Sequence, residues 1–184
     1  MYFRFLPNIL SFSRIAISPI FAYFLIKNIF ISKIIALVIF IIGSLTDILD
    51  GYIARKYNIG SELGKYIDPL ADKILVVTAF CILSYFYPEQ VPVWMILVIL
   101  LRDIFIMMYR SFLINKSIFL KTSKYAKFKT FYQVIVIHLL LIFHVFNSNL
   151  IIAYNFAYIL VLVSLLLSVF TAIHYIFSNL SASS

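Results

Sequence analysis

Six stretches of mostly apolar residues, each near the length of a bilayer-spanning helix, divide this chain, and they leave it few ways to fold. They run about 7–27, 33–55, 64–86, 91–114, 128–146 and 150–177, with short polar breaks between them. A helix crossing a bilayer needs roughly 20 apolar residues. The runs are continuous rather than alternating, which disfavours a β-barrel. Overall, 64% of the 184 residues are hydrophobic and 12% are charged, with a mean hydropathy of +1.07. Soluble domains carry about 25% charged residues, so an ordinary soluble enzyme and a disordered chain are both excluded. The expected fold is an all-α integral membrane protein of six transmembrane helices, with residues 1–184 as one domain.

Charge refines that picture. Lys and Arg number 15 against seven acids, a net charge of +8. In so apolar a chain this excess points to anionic lipid at a membrane surface and not to nucleic acid. Lys and Arg concentrate at the N-terminal end (Arg4), between segments two and three (Arg55, Lys56, Lys65), and between segments four and five (Lys116, Lys121, Lys124, Lys127, Lys129). The opposite side has Lys27 and Lys33 in the first connection. Cytoplasmic loops carry the cations, so both termini and the second and fourth connections are expected in the cytoplasm. The first segment, interrupted by Arg14 and Pro19, is long and followed by no small-residue cleavage site, so it reads as a retained helix and not a signal peptide. Cys81 is the one cysteine, which excludes an intrachain disulfide and a cysteine-based zinc or iron–sulfur centre.

The acids are not scattered. Five of the seven (Asp47, Asp50, Glu62, Asp68, Asp72) and three of the four glycines (Gly51, Gly60, Gly64) fall between positions 47 and 72. Residues three or four apart share a helix face. Asp47 and Asp50 therefore project together from the end of segment two, continued by the small residues Gly51 and Ala54. Asp68 and Asp72 project together from the start of segment three. Four like charges at a membrane boundary repel, so either some are protonated or a cation compensates them. A single such acid could pair with Arg55, Lys65 or Lys73. For all four together a hard divalent ion suits better, since magnesium prefers carboxylate oxygen together with substrate phosphates. Two such ions can grip one phosphoryl group from both sides.

These residues spell D-x2-D-G-x2-A-R-x8-G-x3-D-x3-D, with Asp47, Asp50, Gly51, Ala54, Arg55, Gly64, Asp68 and Asp72 at the fixed positions. The pattern resembles that of the CDP-alcohol phosphotransferase family, and the resemblance covers essentially the whole chain. It implies a six-helix membrane enzyme, commonly a homodimer, that splits the pyrophosphate of a CDP-linked donor and releases CMP. It implies a two-metal site for Mg2+ or Mn2+ held by Asp47, Asp50, Asp68 and Asp72. Asp72 would take the proton of the acceptor hydroxyl, and Gly51, Ala54 and Arg55 would line the CDP pocket.

Outside that core, Pro7-Asn8-Ile9-Leu10-Ser11-Phe12-Ser13-Arg14, Asp68-Pro69-Leu70-Ala71-Asp72-Lys73, Arg102-Asp103 and Ala126-Lys127-Phe128-Lys129-Thr130 with Gln133 are similar to segments of the bacterial branch that accepts glycerol 3-phosphate. Ser11, Asp103 and Ala126 depart from that branch's usual Thr, Glu and Gly. The implied substrates are CDP-diacylglycerol and glycerol 3-phosphate, and the implied place is the bacterial inner membrane. An acceptor phosphate needs cations, for which Arg102, Arg110, Lys127 and Lys129 are the candidates. Interfacial lysines also anchor helices, and Arg102 could simply pair with Asp103. Phosphatidylglycerol or inositol phosphate as acceptor is the nearest alternative. A cation transporter is disfavoured because its acids would be spread along several helices near the midplane, and a silent scaffold because no acid of the pattern is lost. His138, His144 and His174 have no ligand spacing among themselves and read as structural.

Overall fold

The computed structural model describes residues 6–57, 64–115, 124–146 and 151–180, with side chains over 13–46, 73–113, 125–146 and 155–178. Among them lie six α-helices and no strand: α1 (Leu6–Ile26), α2 (Phe30–Tyr57), α3 (Gly64–Phe86), α4 (Val93–Asn115), α5 (Lys124–Phe146) and α6 (Ile151–Leu180). Every apolar segment is thus a helix. Pro19 lies inside α1 without ending it, contrary to the interruption expected there. The backbone groups that a proline frees can be re-satisfied inside an apolar bundle. α5 begins at Lys124, so Lys124, Lys127 and Lys129 are helical and not part of a loop. Lysine and alanine are good helix formers, and the polar start of α5 does not stop it. Lys33, assigned to the first connection, is likewise a buried residue of α2.

The helices form two compact units. The first comprises Met1–Leu83 and Ile137–Ser148, and the second Ser84–Val136 and Asn149–Ser184, so α5 contributes to both. In the first unit α1 turns tightly into α2. Asn28 sits in the left-handed region at φ 52°, where asparagine serves in place of glycine at a helix C-terminus. Its N–H bonds Leu25 O at 3.3 Å. The fully buried Phe21 and Phe40 then meet with ring centroids 5.7 Å apart.

Polar side chains in this unit pair with one another. Thr78 Oγ1 donates to Ile74 O at 2.7 Å, so Ser18 Oγ is the donor across the 3.0 Å contact with Thr78. Ser44 Oγ donates to Ile41 O at 2.9 Å, which makes His138 Nε2 the donor at 3.4 Å to Ser44. The His138 ring stands edge-on to Phe40, 4.9 Å between centroids. That is the structural role expected of it.

Gly43 lets α2 and α3 approach closely, since a Cβ there would lie 2.7 Å from Leu75 Cδ2. Leu75 is itself buried, and the end of its side chain would have to shift to make room. Overpacking such a contact costs about 1–3 kcal/mol. Gly43→Val should lower the thermal midpoint in detergent by the equivalent of about 2 kcal/mol, and Leu75→Ala in the same chain should recover part of that loss.

The second unit is inverted relative to a soluble protein. On α4, Leu101, Ile104, Phe105, Met108 and Phe112 are exposed while Asp103 is buried. On α6, Ile159, Leu166, Phe170, Ile173 and Phe177 are exposed while Ser164, Ser168 and Thr171 are buried. In water so large an apolar surface would be an association site. In a bilayer it faces lipid, and the polar groups turn inward to bond one another. By length and composition, Tyr125–Phe146 and Asn155–Ser178 can each cross a membrane, and Ser13–Ile26, Phe30–Thr46 and Lys73–Phe86 are shorter apolar helices. α4 carries charge only at Arg102, Asp103 and Arg110.

Candidate active site

The carboxylate pattern spans one helix end, one connection and one helix start. Asp47, Asp50, Gly51, Ala54 and Arg55 are in the last three turns of α2. Gly64, Asp68 and Asp72 are in the first three turns of α3. The side chains of these residues lie outside those described. The helical backbone on both sides nevertheless carries the spacings on which the face argument depends. Asp47 and Asp50 are three apart and Asp68 and Asp72 four apart, each pair inside one continuous helix. As a donor set the four offer only carboxylate oxygen, with no sulfur or imidazole in the pattern, and this suits a hard divalent cation. Among the described residues no other group of three or more His, Cys, Asp or Glu could hold a metal.

The four candidate cations for the acceptor phosphate divide into two pairs, all within the second unit. Arg102 and Lys129 come together on Asp103. Lys129 Nζ donates to both Asp103 oxygens at 2.7 and 2.8 Å, and Arg102 Nη1 donates to Oδ1 at 2.9 Å. The Lys129 side chain is 3% exposed and that of Asp103 10%, so these ion pairs are sheltered from water. Arg102 reaches further, donating from Nη2 to Thr171 Oγ1 on α6 at 2.7 Å. Thr171 Oγ1 in turn donates a hydrogen bond to Ser168 O at 3.0 Å. Arg110 and Lys127, by contrast, are exposed, in the last two turns of α4 and the first turn of α5. The pairing left open for Arg102 is therefore realised, and Lys129, assigned to an interfacial loop, is a buried residue bridging two helices.

Thr171 was not legible as part of this cluster. A trace of it exists in the spacing of Ser164, Ser168 and Thr171, which places three hydroxyls on one face of an otherwise apolar helix. His174 lies between Tyr125 and Phe170, with ring centroids 5.0 and 6.3 Å away, in keeping with a structural role.

Six apolar helices with large apolar residues exposed and polar groups turned inward are the build of an integral membrane protein. The chain belongs to the CDP-alcohol phosphatidyltransferase family, whose family model matches residues 4–176. It is 35% identical to the CDP-diacylglycerol–glycerol-3-phosphate 3-phosphatidyltransferase of Bacillus subtilis, in an alignment covering 74% of this chain and 76% of that protein. It is 37% identical to the enzyme of the same name from Aquifex aeolicus, over 78% of this chain and 79% of that one. It is also 42% identical to human cardiolipin synthase (CMP-forming), over 54% of this chain and 32% of that protein.

Proposed function

We propose that this chain transfers the phosphatidyl group of CDP-diacylglycerol to glycerol 3-phosphate, releasing CMP and forming phosphatidylglycerophosphate. The observation that carries the reading is the complete eight-position pattern from Asp47 to Asp72, set on the end of α2 and the start of α3. Relatives bearing that activity in their names match about three quarters of the chain, which supports glycerol 3-phosphate as the acceptor. The similarity to a cardiolipin synthase favours phosphatidylglycerol as the second reading.

In this mechanism Asp47, Asp50, Asp68 and Asp72 would hold Mg2+ or Mn2+, and such an ion would supply positive charge against the pyrophosphate oxygens. Gly51 and Ala54 leave room for the nucleotide beside the backbone, and Arg55 pairs with its phosphates. Asp72 accepts the proton of the glycerol 3-phosphate hydroxyl as its oxygen bonds to the phosphorus attached to diacylglycerol. The bond from that phosphorus to the bridging oxygen breaks, and the electron pair leaves with CMP. Exposed Arg110 and Lys127 meet the acceptor's phosphate, while Arg102 and Lys129 support it from the interior. The whole chain acts as one catalytic domain, as a homodimer in the bacterial inner membrane. The cation-rich connections, both termini and the site face the cytoplasm, where the acceptor is dissolved.

Purified protein in nanodiscs, given CDP-diacylglycerol, Mg2+ and a panel of glycerol 3-phosphate, phosphatidylglycerol and inositol phosphate, tests this directly. CMP release should require glycerol 3-phosphate. Release only with phosphatidylglycerol would move the chain to the second reading, and ion flux in liposomes without CMP release would replace both with a transporter.

A further inference from the structure

Asp103 has no role in the chemistry above, yet among the described residues it is the one buried acid. It sits in the middle of α4, where an ionised carboxylate is costly unless its oxygens are fully engaged. Both oxygens are engaged by Lys129 of α5, and its neighbour Arg102 is bonded to Thr171 of α6. Two adjacent residues of α4 thus make directional bonds to both other helices of this unit. The remaining contacts between α4 and α6 include the edge-to-face pair Tyr109–Tyr175, with centroids 6.2 Å apart. Apolar contacts of that kind define helix register loosely, whereas buried charged hydrogen bonds define it sharply.

The position of this node gives it a consequence for binding. Lys127 is two residues before Lys129 on α5, and Arg110 is two turns beyond Asp103 on the same face of α4. Both are exposed. Gln133, one turn beyond Lys129 on α5, is buried, and its Nε2 has no acceptor among the described residues. Asp103 is the acceptor for Lys129, the buried charge at this end of α5.

We propose that Asp103 is a positioning residue for the acceptor. Through Lys129 and Arg102 it holds the start of α5 and the polar face of α6 in register with α4, and so sets where Lys127 and Arg110 meet the acceptor's phosphate. This inference rests on the functional reading above, in which those two cations receive glycerol 3-phosphate.

The test is steady-state kinetics in nanodiscs with each substrate varied in turn. Asp103→Asn should raise KM for glycerol 3-phosphate about tenfold while KM for CDP-diacylglycerol moves less than about twofold. Asp103→Glu should bring the acceptor KM back toward that of the parent. A merely structural role would lower the yield of active protein and leave both KM values where they were. Should Asp103→Asn fail to fold, the near-isosteric Thr171→Val removes the Arg102 tether, together with the Thr171 bond to Ser168 O, while leaving the Asp103–Lys129 pair in place, and it should raise the acceptor KM about threefold. An acceptor KM that stays put, or that moves in step with the donor KM, overturns the proposal. A parent enzyme that releases no CMP with glycerol 3-phosphate overturns the functional reading and this inference together. Normal parent activity with an unmoved acceptor KM in the variants overturns this inference alone.

Discussion

Asp72→Asn should lower glycerol-3-phosphate-dependent CMP release by about three orders of magnitude and leave binding of CDP-diacylglycerol nearly intact. Asparagine keeps the volume and one oxygen of the carboxylate but cannot accept a proton. General-base catalysis typically contributes 10²–10⁴-fold, which sets the scale. Asp72 is also assigned to the metal-holding set, so the loss could arise from a weakened cation site instead. Titrating Mg2+ separates the two. A base defect persists at saturating Mg2+, whereas a metal-holding defect is relieved as the concentration rises. Asp47→Asn, at the other end of the pattern, should show the second behaviour. Retention of more than a tenth of the parent rate by Asp72→Asn would remove it from the role of base.

The second large effect is on stability. Lys129→Met should lower the unfolding free energy in detergent by about 3 kcal/mol, whereas Lys127→Met should change it by less than about 0.5 kcal/mol. Removing one partner of a buried ion pair costs about 3–5 kcal/mol because the other charge is left uncompensated. The lower end applies because Arg102 Nη1 remains 2.9 Å from Asp103. Methionine fills much the same volume as the lysine stem, so the loss reports charge and hydrogen bonds more than a cavity. Lys127, exposed in the first turn of α5, gives up only solvated charge. Equal thermal midpoints for the two variants would show that the Lys129–Asp103 bonds add nothing to the fold.

Helix number and approximate ends were legible because bilayer thickness sets a length and the core tolerates almost no charge. Segment three coincides with α3 at both ends. α5 starts before its apolar run does, at Lys124, where Lys124, Lys127 and Lys129 look like a loop to any reading based on hydropathy. Hydropathy registers that a lysine is charged and not that its charge is matched. The match is Asp103, 26 positions away in sequence, and only packing brings the two together. The same limit hid Thr171, whose role follows from Arg102 crossing to a helix 69 positions away.

The carboxylate pattern is the opposite case. Its eight residues lie within 26 positions, on two consecutive helices. Local helical periodicity therefore groups Asp47 with Asp50 and Asp68 with Asp72, and the class of chemistry is what the resemblance of the whole pattern implies. The amino-acid order by itself determined the membrane, the six helices and the spacing of the acids along two of them, because each depends on residues close in the chain and on one repeating geometry. The tertiary structure alone decided which cations are buried and which are exposed, because pairing a charge inside an apolar medium needs a partner that a different helix supplies.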